Sequence, residues 1–214
     1  MSVPPEARLG PVRRVGVLGG TFDPPHLGHL AAAQEALELL GLESVLFVPA
    51  RQNPLKDAAA TASEHRVRMT ELAIAGDPRF VLSLADIERP GPSYTVDLLA
   101  ALAEVHGEGT ELVFVVGTDS LVDLHRWREP SRLLRLASIA AISRPHHPAP
   151  RLAFLETRVP GAAKRITVVE TPGVALSSTE LRARLAQGRS VRYLVPDPVE
   201  RYIREQRLYG TGRK

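Results

Sequence analysis

The sequence predicts an α/β fold in which one parallel β-sheet carries helices on both of its faces. Short apolar runs bounded by glycine or proline alternate with longer amphipathic stretches, beginning with a strand, a helix and a strand over residues 12–48. This alternation favours parallel strands joined by right-handed crossovers. Two of the apolar runs end in glycine-containing polar turns, the position at which such sheets bind ligands. We therefore predict a Rossmann-like, doubly wound parallel sheet in a single domain, with a small helical portion near the C-terminus.

Length and composition agree with one globular domain. The chain has 214 residues, of which 44% are hydrophobic and 24% charged, so it can bury a core. No apolar run approaches the ~20 residues that span a bilayer, and the first residues lack the pattern of a signal peptide. Cysteine is absent, which excludes disulfides and thiolate chemistry and is compatible with a cytoplasmic enzyme. We expect a cytoplasmic protein without a membrane partner.

The basic residues are mostly arginines and are spread along the chain. The formal net charge is +3 and the sequence pI about 9.6, but only Lys56, Lys164 and Lys214 are lysines. Arginine is well suited to binding phosphate. A nucleic-acid-binding surface should concentrate this charge and interleave it with aromatic residues, which make up only 5% here. The composition therefore disfavours a nucleic-acid partner.

The first predicted strand runs into the most informative stretch of the chain. Its apolar residues 15–18 are followed by two glycines and a polar turn, namely Gly19, Gly20, Thr21, Phe22 and Asp23. His26 and His29 then stand at the mouth of an alanine- and leucine-rich helix predicted over residues 28–40. Glycine lets a backbone approach a ligand closely, and the first N–H groups of a helix point towards it. The stretch therefore predicts an anion site.

The two histidines strengthen this interpretation. Residues three apart on a helix share one face, and both imidazoles can donate N–H bonds to phosphate. The stretch lacks the third glycine of a dinucleotide fingerprint and the Gly-Lys-Ser/Thr of a Walker A loop. It is not a zincin pattern either, because no Glu follows His26 and the spacing to His29 is i, i+3. A lone histidine would more often cap a turn, but a pair flanking a glycine favours a binding role.

The second strand, predicted over residues 44–48, leads into a polar loop that contains Lys56. This loop is either an ordinary surface turn or a segment whose lysine reaches a phosphate held by the first loop. A helix is predicted over residues 63–75, on which Arg66 and Arg68 are expected to be solvated, and a third strand over residues 80–84.

A helix is predicted to start at the polar segment Ser93, Tyr94 and Thr95 and to run to about residue 106. Ser93 or Thr95 would cap it, with Asp97 in the first turn meeting the helix dipole. Because the first N–H groups of a helix are free of intrahelical partners, the same segment could hold a carboxylate.

The most apolar run, residues 112–116, predicts a central strand that ends in Gly117, Thr118 and Asp119. Asp119 would cap the following helix or accept hydrogen bonds from ribose hydroxyls, as carboxylates do in nucleotide sites. Trp127, the only tryptophan, stands between two arginines and is therefore expected to present a ring face instead of being fully buried.

Two further strands are predicted over residues 138–142 and 165–169, with a proline-rich connection between them. His146 and His147 in this connection are read as loop residues and not as a metal site, because neighbours in extended chain point in opposite directions. Next, Ser177 and Glu180 have the spacing of a capping box, which predicts a helix start. Ser178, Thr179 and Arg182 add hydroxyls and a guanidinium to that helix start, which makes it a second anion site.

These motifs carry a resemblance to a known family. Gly19–His29 resembles the signature of the nucleotidyltransferase superfamily marked by His/Thr-x-Gly-His, and residues 13–209 are similar to bacterial nicotinate-nucleotide adenylyltransferases. The run Leu176–Arg182 resembles that family's Ile-Ser-Ser-Thr-x-Ile-Arg, with leucine at both isoleucine positions. Residues 193–196 resemble its closing Tyr-Leu-Val-Pro. The chain departs from the family at Leu55, because a histidine commonly precedes the lysine there.

The resemblance implies adenylyl transfer from ATP to nicotinate mononucleotide, which gives nicotinate adenine dinucleotide and pyrophosphate in NAD biosynthesis. Mg²⁺ would be carried with ATP, and no dedicated metal site is expected. His26 and His29 would hold the α- and β-phosphates, Arg182 with Ser178 and Thr179 the leaving end, and Lys56 the attacking side. The remaining contacts to ATP would come from Gly19, Gly20, Thr21, Phe22, Asp23, Gly117, Asp119 and Ser177. Those to nicotinate mononucleotide would come from Ser93, Tyr94, Thr95 and Trp127, the tryptophan stacking on the pyridine ring.

The transferase domain is predicted over residues 12–209, preceded by a loose lead-in of residues 1–11. Three alternatives stay open at this point. The first is the same chemistry on nicotinamide mononucleotide or phosphopantetheine, the second a nucleotide-binding regulator without catalysis, and the third a nucleic-acid-binding module. The oligomeric state is also left open.

Overall fold

A parallel β-sheet organises the chain, which we describe from a computed structural model over residues 13–51, 61–143, 151–171 and 174–211. Within these residues the sheet has six strands in the order β3-β2-β1-β4-β5-β6. The strands are β1 Arg13–Gly20, β2 Ser44–Pro49, β3 Phe80–Leu82, β4 Thr110–Gly117, β5 Ala137–Ile142 and β6 Ile166–Val169. All neighbouring pairs are parallel. The predicted α/β fold with a doubly wound sheet is confirmed.

The strand order reverses direction between β1 and β4. Val17 of β1 is paired with Leu46 of β2 on one side and with Phe114 of β4 on the other. From β1 the chain moves outward to β2 and β3, then returns to the other side of β1 and moves outward again to β6. The crevice beyond the carboxyl ends of β1 and β4 is therefore the topological switch point, where open α/β sheets bind their ligands.

Side chains alternate between the two faces of the sheet and supply two separate cores. In β4, Leu112 and Phe114 belong to one cluster, while Val113 and Val115 belong to the other. Residues along a strand point to opposite faces with a period of two, so a strand covered on both sides reads as a continuous apolar run. This is why the central strands could be recognised from the sequence.

Ten α-helices surround the sheet within the described residues. They are α1 Leu27–Leu39, α2 Ser63–Ile74, α3 Ala85–Glu88, α4 Thr95–His106, α5 Thr118–Leu121, α6 Pro130–Leu136, α7 Leu152–Arg158, α8 Ala162–Arg165, α9 Ser178–Ala186 and α10 Asp197–Glu205. Helix α1 packs on the face of the second cluster and α4 on the face of the first. None of the helices in the described part of the chain is long and apolar enough to cross a membrane.

The C-terminal segment forms a helical portion with its own small core. Buried side chains of α9, α10 and the chain between them pack around Met69 of α2. The carbonyl of Leu194 accepts a hydrogen bond of 3.1 Å from the N–H of Leu27, the first residue of α1. The small helical portion predicted for the C-terminus is thus tied both to α2 and to the start of α1.

The structure corrects two predictions about α2 and β3. The third strand is three residues long, Phe80–Leu82, and does not extend to residue 84. Arg66 was expected to be solvated but is only 1% exposed, whereas Arg68 on the same helix is exposed as predicted. Arg66 lies on the inward face of α2 with Met69 and Thr70, and its guanidinium is surrounded by backbone carbonyls. Residues 1–12, Lys56, His146 and His147 lie outside the described residues.

Candidate active site

His26 and His29 form a stacked pair at the start of α1. His26 is the N-cap residue and His29 the third residue of the helix. Their ring centroids lie 3.7 Å apart with an interplanar angle of 23°. His26 is only 2% exposed, while His29 reaches the cleft described below. The helix start thus brings two imidazoles together, while the N–H of Leu27 is bonded to Leu194 and that of His29 to the carbonyl of His26. The imidazoles are therefore the main candidates at this helix start for binding an anion.

A hydrogen bond determines which nitrogen of His29 carries the proton. The backbone N–H of His26 donates to Nδ1 of His29 at 3.2 Å. An imidazole nitrogen that accepts a hydrogen bond is unprotonated, so the proton of the neutral ring is at Nε2. His29 is therefore held with its N–H donor directed away from its own helix cap.

The loop before the histidines directs the side chains of Phe22 and Asp23 towards the protein interior. Phe22 has a φ of 50°, in the left-handed region, and its ring contacts those of His29 and Phe47 at centroid distances of 5.0 and 5.8 Å. Such a conformation costs a non-glycine residue about 1–3 kcal/mol and persists only where the surroundings enforce it. Phe22 and Asp23 are 1% and 2% exposed. The prediction that they bind ATP is therefore restricted to their backbone groups.

Thr21 differs from these two neighbours. Its carbonyl accepts a hydrogen bond from Arg66, but its hydroxyl oxygen is buried and has no hydrogen-bond partner among the described residues. A buried hydroxyl without a partner is unfavourable unless a ligand or water completes it. This group is consistent with a role in binding an oxyanion next to Gly19 and Gly20.

The start of α9 packs directly against the same turn. Ser178 donates a hydrogen bond of 2.9 Å to the carbonyl of Pro24, and Arg182 donates one of 2.8 Å to the carbonyl of Asp23. Arg182 also donates to the hydroxyl of Thr179 at 3.3 Å. A guanidinium has five N–H donors, so the bonds to Asp23 and Thr179 do not occupy all of them. The two stretches that the sequence marked as anion sites, 154 to 159 residues apart, thus meet in space.

Ser177 caps α9 as predicted. Its hydroxyl accepts a hydrogen bond of 3.2 Å from the N–H of Glu180 and donates one of 3.1 Å to the Glu180 carboxylate. The cap holds the first turn of α9, and with it Ser178 and Thr179, in a defined orientation.

Tyr209 anchors the turn from the C-terminal side. Its hydroxyl donates a hydrogen bond of 2.5 Å to Oδ1 of Asp23, whose Oδ2 lies 4.0 Å from Arg182. Burial, followed by the hydrogen bond to Asp23, raises the pKa of Tyr209 above its ordinary value. The Asp23 carboxylate therefore joins the first loop to the helical portion.

A cleft of about 130 Å³ opens at the switch point beside the histidines. Its walls come from the ends of β1, β4 and β5 and from one side of α1, and include Leu18, Gly28, His29, Glu35, Gly117 and Ser143. Closed ligand pockets usually measure ~300–1,000 Å³, so this cleft is large enough for only part of a nucleotide. A Cβ at Gly28, the second residue of α1, would lie 3.1 Å from Nδ1 of His26 and from the carbonyl oxygen of Val174, a tight contact that favours glycine there.

The residues predicted for the second substrate gather around the start of α4. The guanidinium of Arg128 lies 4.7 Å from the ring centre of Tyr94 and 3.7 Å from the carboxylate of Asp97. Trp127 is half-buried, with its ring edge-on to Phe114 at 6.1 Å. Tyr94 and Trp127, whose neighbour Arg128 lies over the Tyr94 ring, are therefore in the same area of the structure.

Two capping predictions are wrong in detail. The N-cap of α4 is Tyr94, with Thr95 as the first helical residue, and the side chain of Tyr94 makes no capping hydrogen bond. The N-cap of α5 is Gly117, so Asp119 lies within the first turn instead of capping it. A four-residue helix and an extended Tyr94 were not recognisable from residue types, because Ser, Thr and Asp are preferred caps wherever they occur.

No group of three or more potential metal-ligating side chains lies together within the described residues. Two residues that contact the loop after β1, Arg66 and Tyr209, were not assigned to the site from the sequence. A signal for Arg66 was present, because it stands three and four residues before Met69 and Thr70 and so shares their buried face. Tyr209 has no such signal, since only the folded chain brings it to Asp23.

Comparison with known proteins defines the class first. A family model described as cytidylyltransferase-like matches residues 17–184, and the chain therefore belongs to this family of nucleotidyltransferases. More narrowly, it belongs to the family of nicotinate-nucleotide adenylyltransferases. A probable nicotinate-nucleotide adenylyltransferase of Symbiobacterium thermophilum is 48% identical, covering 93% of this chain and 96% of that protein. One from Herpetosiphon aurantiacus is 45% identical over 92% of this chain and 99% of the relative.

Solved structures agree in fold. The nicotinic acid mononucleotide adenylyltransferase of Plasmodium falciparum complexed with NaAD has a TM-score of 0.76 and 21% identity, over 94% of this chain and 98% of that chain. The same enzyme complexed with APC has a TM-score of 0.75. At this identity the likeness concerns the architecture, and it extends over the C-terminal helical portion as well as the sheet.

Proposed function

We propose that the protein transfers the adenylyl group of ATP to nicotinate mononucleotide, giving nicotinate adenine dinucleotide and pyrophosphate. The observation that carries the proposal is the meeting of the Gly19–His29 loop with the start of α9 at the switch point of the sheet. Ser178 and Arg182 bond to the carbonyls of Pro24 and Asp23, so the two anion-binding stretches face one site. The relatives are named for this activity, and the cytoplasm stays our expected compartment.

The chemistry requires alignment and charge neutralisation more than it requires a strong base. The phosphate of the mononucleotide attacks the α-phosphorus of ATP, and the bond to the pyrophosphate oxygen breaks. Since the second pKa of a phosphate monoester is about 6, the nucleophile is already ionised at neutral pH. Catalysis then depends on holding both reactants in line and on stabilising the charge of the transition state.

Each proposed role follows from a position in the site. His29, with its proton at Nε2, would donate to the phosphate at the reaction centre, and His26 would support it. Arg182 and Thr179, at the start of α9, would bind the departing pyrophosphate. The substrate is MgATP, and Mg²⁺ would be held mainly by the triphosphate, since the described residues offer no carboxylate cage. Lys56 stays a predicted contact on the attacking side.

The acceptor would bind between the start of α4 and the segment around Trp127. Tyr94 and Trp127 supply aromatic surface for a pyridine ring, and the first N–H groups of α4 are suited to its carboxylate. Ser93 and Thr95 belong to the same proposed subsite, and Gly117 and Asp119 to the ribose side of ATP.

The test is pyrophosphate release from MgATP with nicotinate mononucleotide and nicotinamide mononucleotide measured side by side. We expect much faster release with the acid than with the amide. Equal release with both would keep the transferase and overturn the carboxylate subsite at α4. Release with neither acceptor would overturn the proposal, and phosphopantetheine would then be the acceptor to measure. A binding regulator without catalysis would release no pyrophosphate with any acceptor.

A further inference from the structure

Arg66 is a buried cation on the inward face of α2. Its side chain is 1% exposed and lies beneath the carboxyl ends of β1 and β2. Burying a charge is costly unless hydrogen bonds compensate for it. Its neighbours on the inward face of α2 are Met69, Thr70 and Ile74, so the charge is buried in otherwise largely apolar surroundings.

The guanidinium is bonded to backbone carbonyls of three separate segments. It donates to Thr21 at 2.9 Å, to Ala50 at 2.7 Å and to Thr61 at 3.2 Å. A fourth, longer contact of 3.4 Å reaches the carbonyl of Arg51. Thr21 belongs to the loop after β1, and Ala50 follows β2. A planar, five-donor group thus fixes the exits of two neighbouring strands relative to each other.

The bond to Thr21 has a consequence for the peptide that follows. The peptide unit is planar and trans, so its carbonyl and its N–H point in opposite directions. With the Thr21 carbonyl directed at Arg66, the N–H of Phe22 points to the other side of that peptide. Phe22 has a φ of 50°, so the local conformation is not one the backbone would keep without support. Backbone N–H groups oriented in this way are what such loops use to bind phosphate.

We propose that Arg66 is a positioning residue for the adenylyl transfer, and that it holds the loop after β1 in the conformation that binds the triphosphate. This inference rests on the proposed function. Arg66 does not touch substrate in this scheme and acts through the carbonyls of Thr21 and Ala50.

The experiment compares Arg66→Met, Arg66→Lys and, as a matched control, Arg68→Met on the exposed side of the same helix. For each variant, kcat and KM for MgATP and for the mononucleotide are measured, with the folded fraction and melting temperature from circular dichroism. We expect kcat/KM for MgATP to fall by on the order of a hundredfold in Arg66→Met, since misplacing a loop by about 1 Å can have that effect. For Arg66→Lys, kcat/KM for MgATP should lie between the values of Arg66→Met and the parent. For Arg68→Met it should equal the parent value.

A third measurement separates positioning from folding. Removing the side chain in Arg66→Ala leaves space for a guanidinium ion, and millimolar guanidinium should raise kcat/KM of this variant while leaving Arg68→Met unchanged. If Arg66 only supports the fold, guanidinium would raise kcat/KM only in proportion to the folded fraction, which circular dichroism measures in the same samples. Parent-like kcat/KM in folded Arg66→Met would overturn the proposal, as would losses that match the unfolded fraction in Arg66→Met and Arg66→Lys alike.

Failure of the proposed function would be seen separately. If the parent releases no pyrophosphate with any mononucleotide, MgATP binding is measured by calorimetry instead. Weaker binding in Arg66→Met than in Arg68→Met would then still support Arg66 as the residue that positions the loop, and equal binding would refute it.

Discussion

The two nitrogens of His29 have separate tasks in this site. Nδ1 accepts a hydrogen bond from the backbone of its own helix cap, while Nε2 carries the proton. The ring is further held between the imidazole of His26 and the edge of Phe22. A donor whose tautomer and orientation are set in advance loses little entropy when the transition state forms.

The residue-scale prediction follows from this geometry. His29→Ala should lower kcat for pyrophosphate release by on the order of a hundredfold, because removing one donor to a developing oxyanion typically has that effect. Steady-state kinetics on a variant shown to be folded by circular dichroism would measure it. His106→Ala, at the far end of α4, is the control and should leave kcat unchanged. Near-normal turnover in folded His29→Ala would rule out the phosphate role.

At the scale of elements, the site is assembled from the start of α1, the start of α9 and the C-terminal segment. The Asp23 carboxylate connects them, since it accepts from Tyr209 and lies near Arg182. Leaving a buried carboxylate oxygen without a partner would lower the free energy of unfolding by about 1–3 kcal/mol. The helical portion therefore stabilises the loop as well as covering it.

Tyr209→Phe is expected to lower stability at neutral pH and to change its dependence on pH. The pKa of Tyr209 is raised by burial and by Asp23, whereas an unfolded tyrosine titrates near pH 10. The protonated hydroxyl is thus favoured by the fold, so its contribution is fully present below about pH 10 and is lost as pH rises further. Urea unfolding at several pH values should show a steeper fall above about pH 10 for the parent than for Tyr209→Phe.

Tyr193→Phe provides the control for this series, because Tyr193 is 73% exposed and the substitution removes a hydroxyl at the surface. Its pH dependence should follow the parent. Identical slopes for parent and Tyr209→Phe would contradict the role given to the hydrogen bond with Asp23.

At the scale of the whole molecule, the sheet and the helical portion share contacts that should make them unfold together. Met69 of α2 belongs to the core of the C-terminal portion, and Leu27 at the start of α1 is bonded to Leu194. Domains that share a core and backbone bonds behave as one cooperative unit, in contrast to domains joined by a linker.

We therefore expect a single unfolding transition in urea. Fluorescence of Trp127, the only tryptophan, reports on the sheet, and far-ultraviolet circular dichroism reports on all helices. Both probes should give the same urea midpoint. MgATP should raise the midpoint seen by each probe equally, because binding at a hundred times Kd raises the free energy of unfolding by about 2.7 kcal/mol. Two separated transitions, or a shift confined to one probe, would show that the helical portion unfolds independently.

Much of the fold was predictable, because a doubly covered strand and a glycine turn are local patterns. The runs that became β1, β2, β4 and β5 are apolar on both faces, and their boundaries differ from the prediction by at most two residues. The weak strand β3, with only three residues and half-exposed side chains, was overestimated. The N-cap at Ser177 was predicted correctly because a serine three residues before a glutamate is the capping-box pattern of a helix start.

The sequence by itself therefore determined the parallel sheet and the longer helices, and it marked the two stretches proposed to bind anions, since each depends on residues close together in the chain. Only the tertiary structure decided how these parts meet. It placed α9 against Pro24 and Asp23, directed the Asp23 carboxylate to Tyr209, and turned Arg66 inward to bond carbonyls of three segments. The physical reason is that a long polar side chain can be buried only where groups distant in the chain accept its hydrogen bonds, and otherwise stays in solvent. The spacing to Met69 and Thr70 can place Arg66 on a buried helix face, but only the folded chain decides which backbone carbonyls it bonds.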